Sequence, residues 1–500
     1  MELLNSLKLG FETALAWDNL LYALIGVVLG QLVGVLPGVG AMTAISLLLP
    51  ITFYLEPTQS LIMLAGIYYG SQYGGAIASI LLSLPGTPSS VVTTFEGYPM
   101  ARRGRAGAAL VLASLASLFG SVIGVSVLVI GALPLSRFAL QFGAPEYFAL
   151  IFMGMIAASV VSSGSQVRAI AMLVLGVLLG MVGADINTGV YRYVYIPDLA
   201  DGISLVAMAI GLFGVAEILS AAAGAGNKNI VLAGGWRALI PTREEFRGFW
   251  RSAGRGAGIG SAFGTLPGTG AAIASFVAYA VEKRISRNPE AFGSGKTEGL
   301  VAPESSNNAA SITGFIPTLT LGIPGDAVMA MMLGALILNG IVPGPTVVTS
   351  HPALFWGVIA SFIVGNVLLV LINLPLINLW VRLLSIPYWA LFPGILAFVC
   401  IGVYSFRYSV MDVYSTLIFG LVGALLSRMR FPVAPILLGF ILGPMLEEYL
   451  RRSMLLYDGD VTVFVTRPLS GIFMGVAFSL LLFPLLTAVI RAFRAGRMSS

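Results

Sequence analysis

Apolar residues in this chain form long unbroken runs, and the polar positions gather into short phrases between and inside them. A helix that is hydrophobic all round lies buried in protein or lipid, and about 20 such residues cross a hydrocarbon core of roughly 30 Å. The pattern predicts plain helices at 106–132, 146–161, 167–183 and 202–221, then at 353–374, 387–404, 411–427 and 431–446. A last one falls at 468–490. Two stretches in each half are interrupted instead: 18–55 and 61–100, then 250–282 and 305–342. The interruptions are Pro-Gly phrases that recur in the same order. Gly34-Val-Leu-Pro-Gly-Val-Gly-Ala41 is echoed by Gly264-Thr-Leu-Pro-Gly-Thr-Gly-Ala271, and Ser83-Leu-Pro-Gly-Thr-Pro-Ser-Ser90 by Gly322-Ile-Pro-Gly-Asp326.

Composition fixes the class. Of 500 residues 57% are hydrophobic and 10% charged, against about 25% charged in a soluble domain. The chain is expected to be an all-α polytopic membrane protein, since its long runs lack the short alternating segments of a membrane barrel. The net charge of +5 resides in loops, where it sets orientation and implies no nucleic-acid partner. A single cysteine, Cys400, and a single histidine, His351, exclude a disulfide framework and a Cys/His metal cluster. The N-terminus, Met1 to Asp18, has acidic residues and no small-residue cleavage site, so no signal peptide is expected there.

Further echoes, such as Leu133-Pro-Leu135 with Leu374-Pro-Leu376, place one transmembrane repeat at 18–222 and the other at 248–450. Residues 223–247 form a linker expected to be cytoplasmic, and the helix at 468–490 stands outside the repeats. Basic residues collect on opposite loops of the two halves. Arg102, Arg103 and Arg105 follow the second phrase of half one, whereas Lys283, Arg284, Arg287 and Lys296 follow the first phrase of half two. Because cytoplasmic loops gather Lys and Arg, this predicts two inverted-topology repeats with broken or re-entrant helices at the Pro-Gly motifs. The first-phrase segments either cross or turn back, and charges on both sides of 250–282 favour turning back.

A broken helix exposes backbone N–H groups on one side of the break and carbonyls on the other, suited to an anion and a cation respectively. Small polar residues cluster there. Candidate substrate-binding residues are Gly38, Gly40, Thr43, Ser83, Pro85, Gly86, Thr87, Ser89 and Ser90 in half one. In half two they are Gly268, Thr269, Gly270, Ser306, Asn307, Asn308, Pro324 and Gly325. Asp326 and Thr320 are candidates for ion coupling, although Asp326 is equally placed to cap the helix it opens. Glu304 divides evenly between function and a surface position near the cytoplasmic loop. Glu96 reads as a rim charge, and Glu146 and Glu217 as structural. Serine chemistry would rest on His351 alone, intramembrane aspartyl chemistry lacks a second carboxylate, and no phosphate-binding loop is present. The chain is not expected to be an enzyme.

Tyr68-Tyr-Gly-Ser-Gln-Tyr-Gly-Gly-Ala-Ile-Ala-Ser-Ile-Leu-Leu-Ser-Leu-Pro-Gly-Thr-Pro-Ser-Ser90, with Phe95-Glu-Gly-Tyr-Pro-Met-Ala101, closely resembles the large membrane subunit of bacterial tripartite tricarboxylate transporters, the TctA family. So do Ala302-Pro-Glu-Ser-Ser-Asn-Asn-Ala309 and Thr320-Leu-Gly-Ile-Pro-Gly-Asp326, and the likeness runs through nearly the whole chain. The resemblance implies a multi-pass inner-membrane secondary transporter with no cofactor, driven by a Na+ or H+ gradient. It implies three partners: a periplasmic solute-binding protein, a small membrane subunit and an organic-acid substrate such as citrate. The alternative is a passive anion channel or a membrane scaffold without coupled transport. Inverted repeats predict that cysteines placed at 103 and 287, in a chain lacking Cys400, react with an impermeant thiol reagent from the same, cytoplasmic, side. Labelling from opposite sides would end the inverted arrangement.

Overall fold

The computed structural model describes residues 2–36, 40–161, 165–185, 188–223, 239–266, 270–373, 375–376, 379–380 and 388–482. Gly38, Gly268, Thr269, most of the 223–247 linker and the end of the 468–490 helix lie outside them. The described chain is helical almost throughout. Helices α1 (Glu2–Leu15), α2 (Trp17–Val35), α3 (Gly40–Thr52), α4 (Pro57–Leu82), α5 (Thr93–Met100) and α6 (Ala106–Ala139) open it. α7 (Ala144–Val161), α8 (Gln166–Gly180), a two-residue hairpin of β1 (Gly183–Ala184) and β2 (Tyr191–Arg192), α9 (Leu205–Ala209) and α10 (Ala216–Ala223) follow, the last two joined by a π turn. The second half holds α11 (Phe249–Gly264), α12 (Gly270–Ile285), α13 (Thr297–Thr313), α14 (Phe315–Leu321), α15 (Ala327–Leu338), α16 (Val347–Ser350) and α17 (Pro352–Asn373). It ends with α18 (Tyr388–Arg407), α19 (Val410–Arg428), α20 (Ala434–Leu456), α21 (Val463–Thr466) and α22 (Pro468–Leu482).

Among the described residues four helical stretches are long and apolar enough to cross a bilayer: Trp17–Val35, Pro88–Ala139, Pro352–Asn373 and Val410–Arg428. α19 leaves Tyr414, Ile418, Leu421 and Leu425 exposed along one stripe, and such a face belongs against lipid or another membrane chain.

The chain forms two compact units, each made of two stretches: Met1–Arg137 with Ser204–Leu425, and Phe138–Ile203 with Leu426–Ser500. In the smaller unit α8 and α20 meet backbone to backbone, Gly176 against Ile436 and Gly439 against Leu173. Asp185, beside the hairpin, is bridged by Arg192 and by Arg451 at 3.1 Å, and both arginines also reach Glu447. Glu146 pairs with Arg467, the structural role expected of it.

The larger unit is organised by two glycine seams. Gly26, Gly30 and Gly34 of α2 lie on the backbone of Met63, Ile67 and Ser71 of α4, while Gly66, Gly70 and Gly74 of α4 lie on α2 in return. In half two Gly256, Gly260 and Gly264 of α11 lie on Ala302, Ser306 and Ala310 of α13. The last glycine of each triplet lies at the same distance before the proline of the first phrase (34 to 37, 264 to 267), and its partner at the same distance before the proline of the second (71 to 85, 310 to 324). Small residues at four-residue spacing let membrane helices approach this closely. α4 is buried on every side from Ser60 to Leu81; Pro57 starts it, with Glu56 and Gln59 forming a capping box.

The basic loops are tied down as well. Arg105 donates to both oxygens of Glu245 at 2.8 and 2.6 Å, and with the Thr242 N–H this holds the Glu245 carboxyl down at about 2.

A Cβ at Gly260 would stand 2.1 Å from the Ser306 carbonyl oxygen, whereas Gly258 has nothing within 4 Å. Gly260→Ala is therefore expected to destabilise the solubilised protein by about 1–3 kcal/mol through overpacking. Gly258→Ala, on the same helix, is expected to be neutral or to stabilise by up to about 1 kcal/mol. Thermal unfolding of both variants in detergent checks the pair; equal melting temperatures would refute the seam.

Candidate functional site

Both second phrases end a helix in the same way. α4 stops at Ser83, a left-handed residue (φ 57°), and α14 stops at Gly322 (φ 70°). Ser83 adopts this conformation without the freedom of glycine. The chain then turns through Pro85-Gly86 or Pro324-Gly325. Each break lies beside the first phrase of its own half: a Cβ at Gly86 would meet the Gly34 carbonyl at 2.1 Å, and one at Gly270 would meet Asp326 at 3.2 Å. The halves also cross over. Ser275 of α12 donates to the Ser89 carbonyl at 3.0 Å, and Ser46 of α3 donates to Met331 of α15 at 3.6 Å.

The turn of half one sorts its polar residues by depth. Ser83 and Pro85 face outward, whereas Gly86, Thr87, Ser89 and Ser90 are buried. Thr87 and Ser89 hydroxyls donate to Gln72 Oε1 at 3.2 and 2.5 Å, and Gln72 Nε2 donates to Ser311 of α13 at 3.4 Å. Ser90 is spent locally, accepting from the Thr87 N–H and donating to the Thr87 carbonyl. Gln72 is thus the hub between a half-one break and a half-two helix.

α13 is buried along its whole length from Gly299 to Thr313 despite carrying Glu304, Ser305, Ser306, Asn307, Asn308, Ser311 and Thr313. Buried polar groups are the informative exceptions in a core. Most are answered: Ser305 donates to the Ala253 carbonyl, Ser311 to the Asn307 carbonyl, and Asn308 Nδ2 to Asn307 Oδ1 at 2.9 Å. Ser306 Oγ and Asn308 Oδ1 find no partner. Glu304 is fully buried and accepts from Thr93, from Ser117 at 3.2 Å and from Asn307 at 3.3 Å. It occupies the core, not the cytoplasmic surface.

Asp326 is a helix cap. Its Oδ1 accepts from the Met329 N–H at 2.9 Å and its Oδ2 from the Tyr68 hydroxyl at 3.0 Å. That N–H at the start of α15 is therefore already taken by the protein's own carboxylate, contrary to the expectation that it stands free for a ligand. Thr320 donates to Ile316 of its own helix at 2.6 Å, and Thr43 donates to the Phe213 carbonyl in the π turn at 2.9 Å. Neither reaches the Gln72 hub. Pro324 and Gly325 are buried, and Gly40 and Gly270 open α3 and α12 in left-handed conformations.

Glu96 is not a rim charge. It is fully buried and accepts from the backbone N–H groups of Gly293, Gly295 and Lys296 at 2.5, 2.7 and 2.7 Å, and from Tyr279 at 2.9 Å. Gln72, Tyr68 and Ser117 were not legible as site residues. Gln72 and Tyr68 lie inside the long phrase Tyr68–Ser90, and only contact with the other half gives them a task.

No Lys or Arg among the described residues is buried, so the hub offers hydroxyls and amides without a fixed positive charge. An open cleft of about 1280 Å³ lined by Arg247, Trp250, Arg251, Arg255, Arg287 and Lys296 contains none of the break residues.

The family model described as the tripartite tricarboxylate transporter TctA family matches residues 20–438. The chain is 49% identical over 490 residues to an uncharacterized 52.8 kDa protein in the TAR-I ttuC' 3' region of Agrobacterium vitis, covering 98% of this chain and 97% of that one. It is 54% identical over 224 residues to an uncharacterized protein in the TAR-II ttuC' 3' region of the same organism, covering 45% of this chain and 93% of the relative. No solved structure matches.

The Glu96 contacts predict that Glu96→Gln, which turns an amide donor toward N–H donors, destabilises the protein by about 2–3 kcal/mol. It should also open the 286–296 loop to protease. Limited proteolysis with mass mapping checks this, and an equally resistant loop would show that the carboxylate does not hold it.

Proposed function

The chain belongs to the tripartite tricarboxylate transporter TctA family, and on that premise we propose that it is the large membrane subunit of a binding-protein-dependent secondary importer of organic-acid anions. The observation that carries the reading is the polar helix α13, buried throughout and joined through Gln72 to the half-one break. A soluble core gains nothing from such a helix, whereas a transporter needs polar groups at membrane depth.

In this reading the substrate carboxylates engage the hydroxyl and amide donors around Thr87, Ser89, Ser306, Asn307 and Asn308, with the breaks at Gly86 and Gly325 supplying turns. A periplasmic solute-binding protein delivers the anion, a small membrane subunit accompanies the chain, and a Na+ or H+ gradient drives accumulation across the bacterial inner membrane. Asp326 and Thr320 are the ion-coupling candidates from the sequence. The equal spacing of the two glycine seams supports a duplicated unit, and the loop charges support its inversion. The second reading, a passive anion channel or scaffold, fits the same hydroxyl-rich lining, but it gives no task to a fully buried carboxylate.

The test is uptake of labelled citrate and other di- and tricarboxylates by cells expressing this chain with its binding protein and small subunit, each omitted in turn, with and without an ionophore. Saturable accumulation that requires every component and collapses with the gradient is the expected outcome. Downhill equilibration indifferent to the ionophore would replace the importer with a channel.

A further inference from the structure

We propose that Glu304 is the side chain that takes up and releases the coupling proton, an inference that rests on the transport reading above. Four other buried carboxylates among the described residues set the comparison. Glu146 faces Arg467, Asp185 faces Arg192 and Arg451, and Glu282 faces Arg255 at 2.9 Å. Glu96 lacks a cation but sits in a nest of three backbone N–H groups and a tyrosine hydroxyl. Glu304 has neither. Its oxygens meet two hydroxyls and one amide, all neutral and all side-chain. A permanent carboxylate anion there would be a desolvated charge without a counter-charge, which is costly unless the site can neutralise it. A bound proton neutralises it.

The position suits a switch. Thr93 opens α5 directly after the half-one break, Ser117 belongs to α6, and Glu304 and Asn307 belong to α13 of half two. Ionised, the carboxylate only accepts and pulls three donors from three helices toward itself. Protonated, it donates once, and one neighbouring hydroxyl must turn to accept or find another partner. The same proton therefore changes how the broken segment is held against the buried polar helix.

The surroundings favour a proton over a metal ion. Asn307 presents Nδ2 to Glu304 because its Oδ1 accepts from Asn308, so this neighbour offers a donor where a cation requires oxygen. The titratable groups on the packed elements are few. Tyr73 of α4 faces Glu304, and its buried hydroxyl has no partner. On α5 Glu96 turns to the 293–296 loop, Arg255 of α11 and Glu282 of α12 bind one another, and Tyr279 of α12 binds Glu96. The α6 segment from Ala106 to Ser136 carries no titratable residue.

Two measurements test this. Infrared difference spectra of the solubilised chain, taken between about pH 5 and 9 where ordinary carboxyls are already ionised, should contain a protonated-carboxyl band that titrates and is absent from Glu304→Gln. This needs no substrate, so it stands apart from the transport reading. Ser117→Ala keeps the carboxyl and should move the band's midpoint, which covers the case in which Glu304→Gln fails to fold. In proteoliposomes Glu304→Gln should lose pH-gradient-driven accumulation at least about tenfold, roughly 1.4 kcal/mol of driving force, while counterflow exchange remains measurable. A spectrum without such a band, a midpoint unmoved by Ser117→Ala, or accumulation by Glu304→Gln that still follows the pH gradient would each overturn the assignment.

Discussion

Backbone-to-backbone contact at glycines is the constraint on which the larger unit depends. Inside a bilayer helices gain little by hiding apolar surface from one another, because lipid is as apolar as leucine; close packing of small residues must hold them. Here the contact also sets register. A carbonyl lies where each seam glycine would carry a Cβ, so a shift of one residue along the seam would drive a side chain into backbone. The seams end at the breaks: Gly34 lies against Gly86, and Gly264 lies within reach of Gly325. Once the seams lock, each second-phrase break is held beside the described residues of the first phrase of its own half.

That register decides what α13 can do. Ser305, Ser311 and Thr313 satisfy themselves on nearby carbonyls, the usual way to carry hydroxyls through an apolar environment. Ser306 Oγ and Asn308 Oδ1 remain without partners, as do Gln31 Oε1, Ser60 Oγ, Tyr73 Oη, Ser261 Oγ and Trp380 Nε1 elsewhere. Ser306 and Asn308 lie within a turn or so of Glu304, on the helix that meets the Gln72 hub through Ser311. Two unspent polar atoms therefore lie beside Glu304, a buried carboxylate held by neutral side chains.

Much of this architecture was legible in the chain. Apolar runs located the helices, and Pro-Gly located the breaks, because both are local properties of the backbone. Asp326 as a cap was one of the two roles left open by its place directly after Pro-Gly. The seams were legible in principle, since Gly26, Gly30 and Gly34 are repeated in spacing by Gly256, Gly260 and Gly264, but glycine content alone does not name the partner helix. Glu96 and Glu304 could not be placed, since their environments are made by residues roughly two hundred positions away in the chain. Local position puts both near a basic loop; tertiary contact buries both and gives one a nest of N–H groups and the other only hydroxyls and an amide. Gln72 was hidden for the same reason, an amide in an apolar phrase whose partners arrive from the following turn and the opposite half.

That no Lys or Arg among the described residues is buried bears on how the proposed anion would be handled. An arginine fork would grip a carboxylate with two charge-assisted hydrogen bonds, favouring retention over release. Neutral hydroxyls and amides bind more weakly and let go more readily, which would suit the proposed delivery by a separate capture protein. The same absence makes an ionised Glu304 a liability when an anion occupies Asn307 and Asn308, because two negative charges in a low-dielectric interior repel strongly. A proton on Glu304 removes that repulsion. In the proposed importer anion and proton would then favour one another's presence, coupled through the electrostatics of one helix without a direct contact between the two passengers.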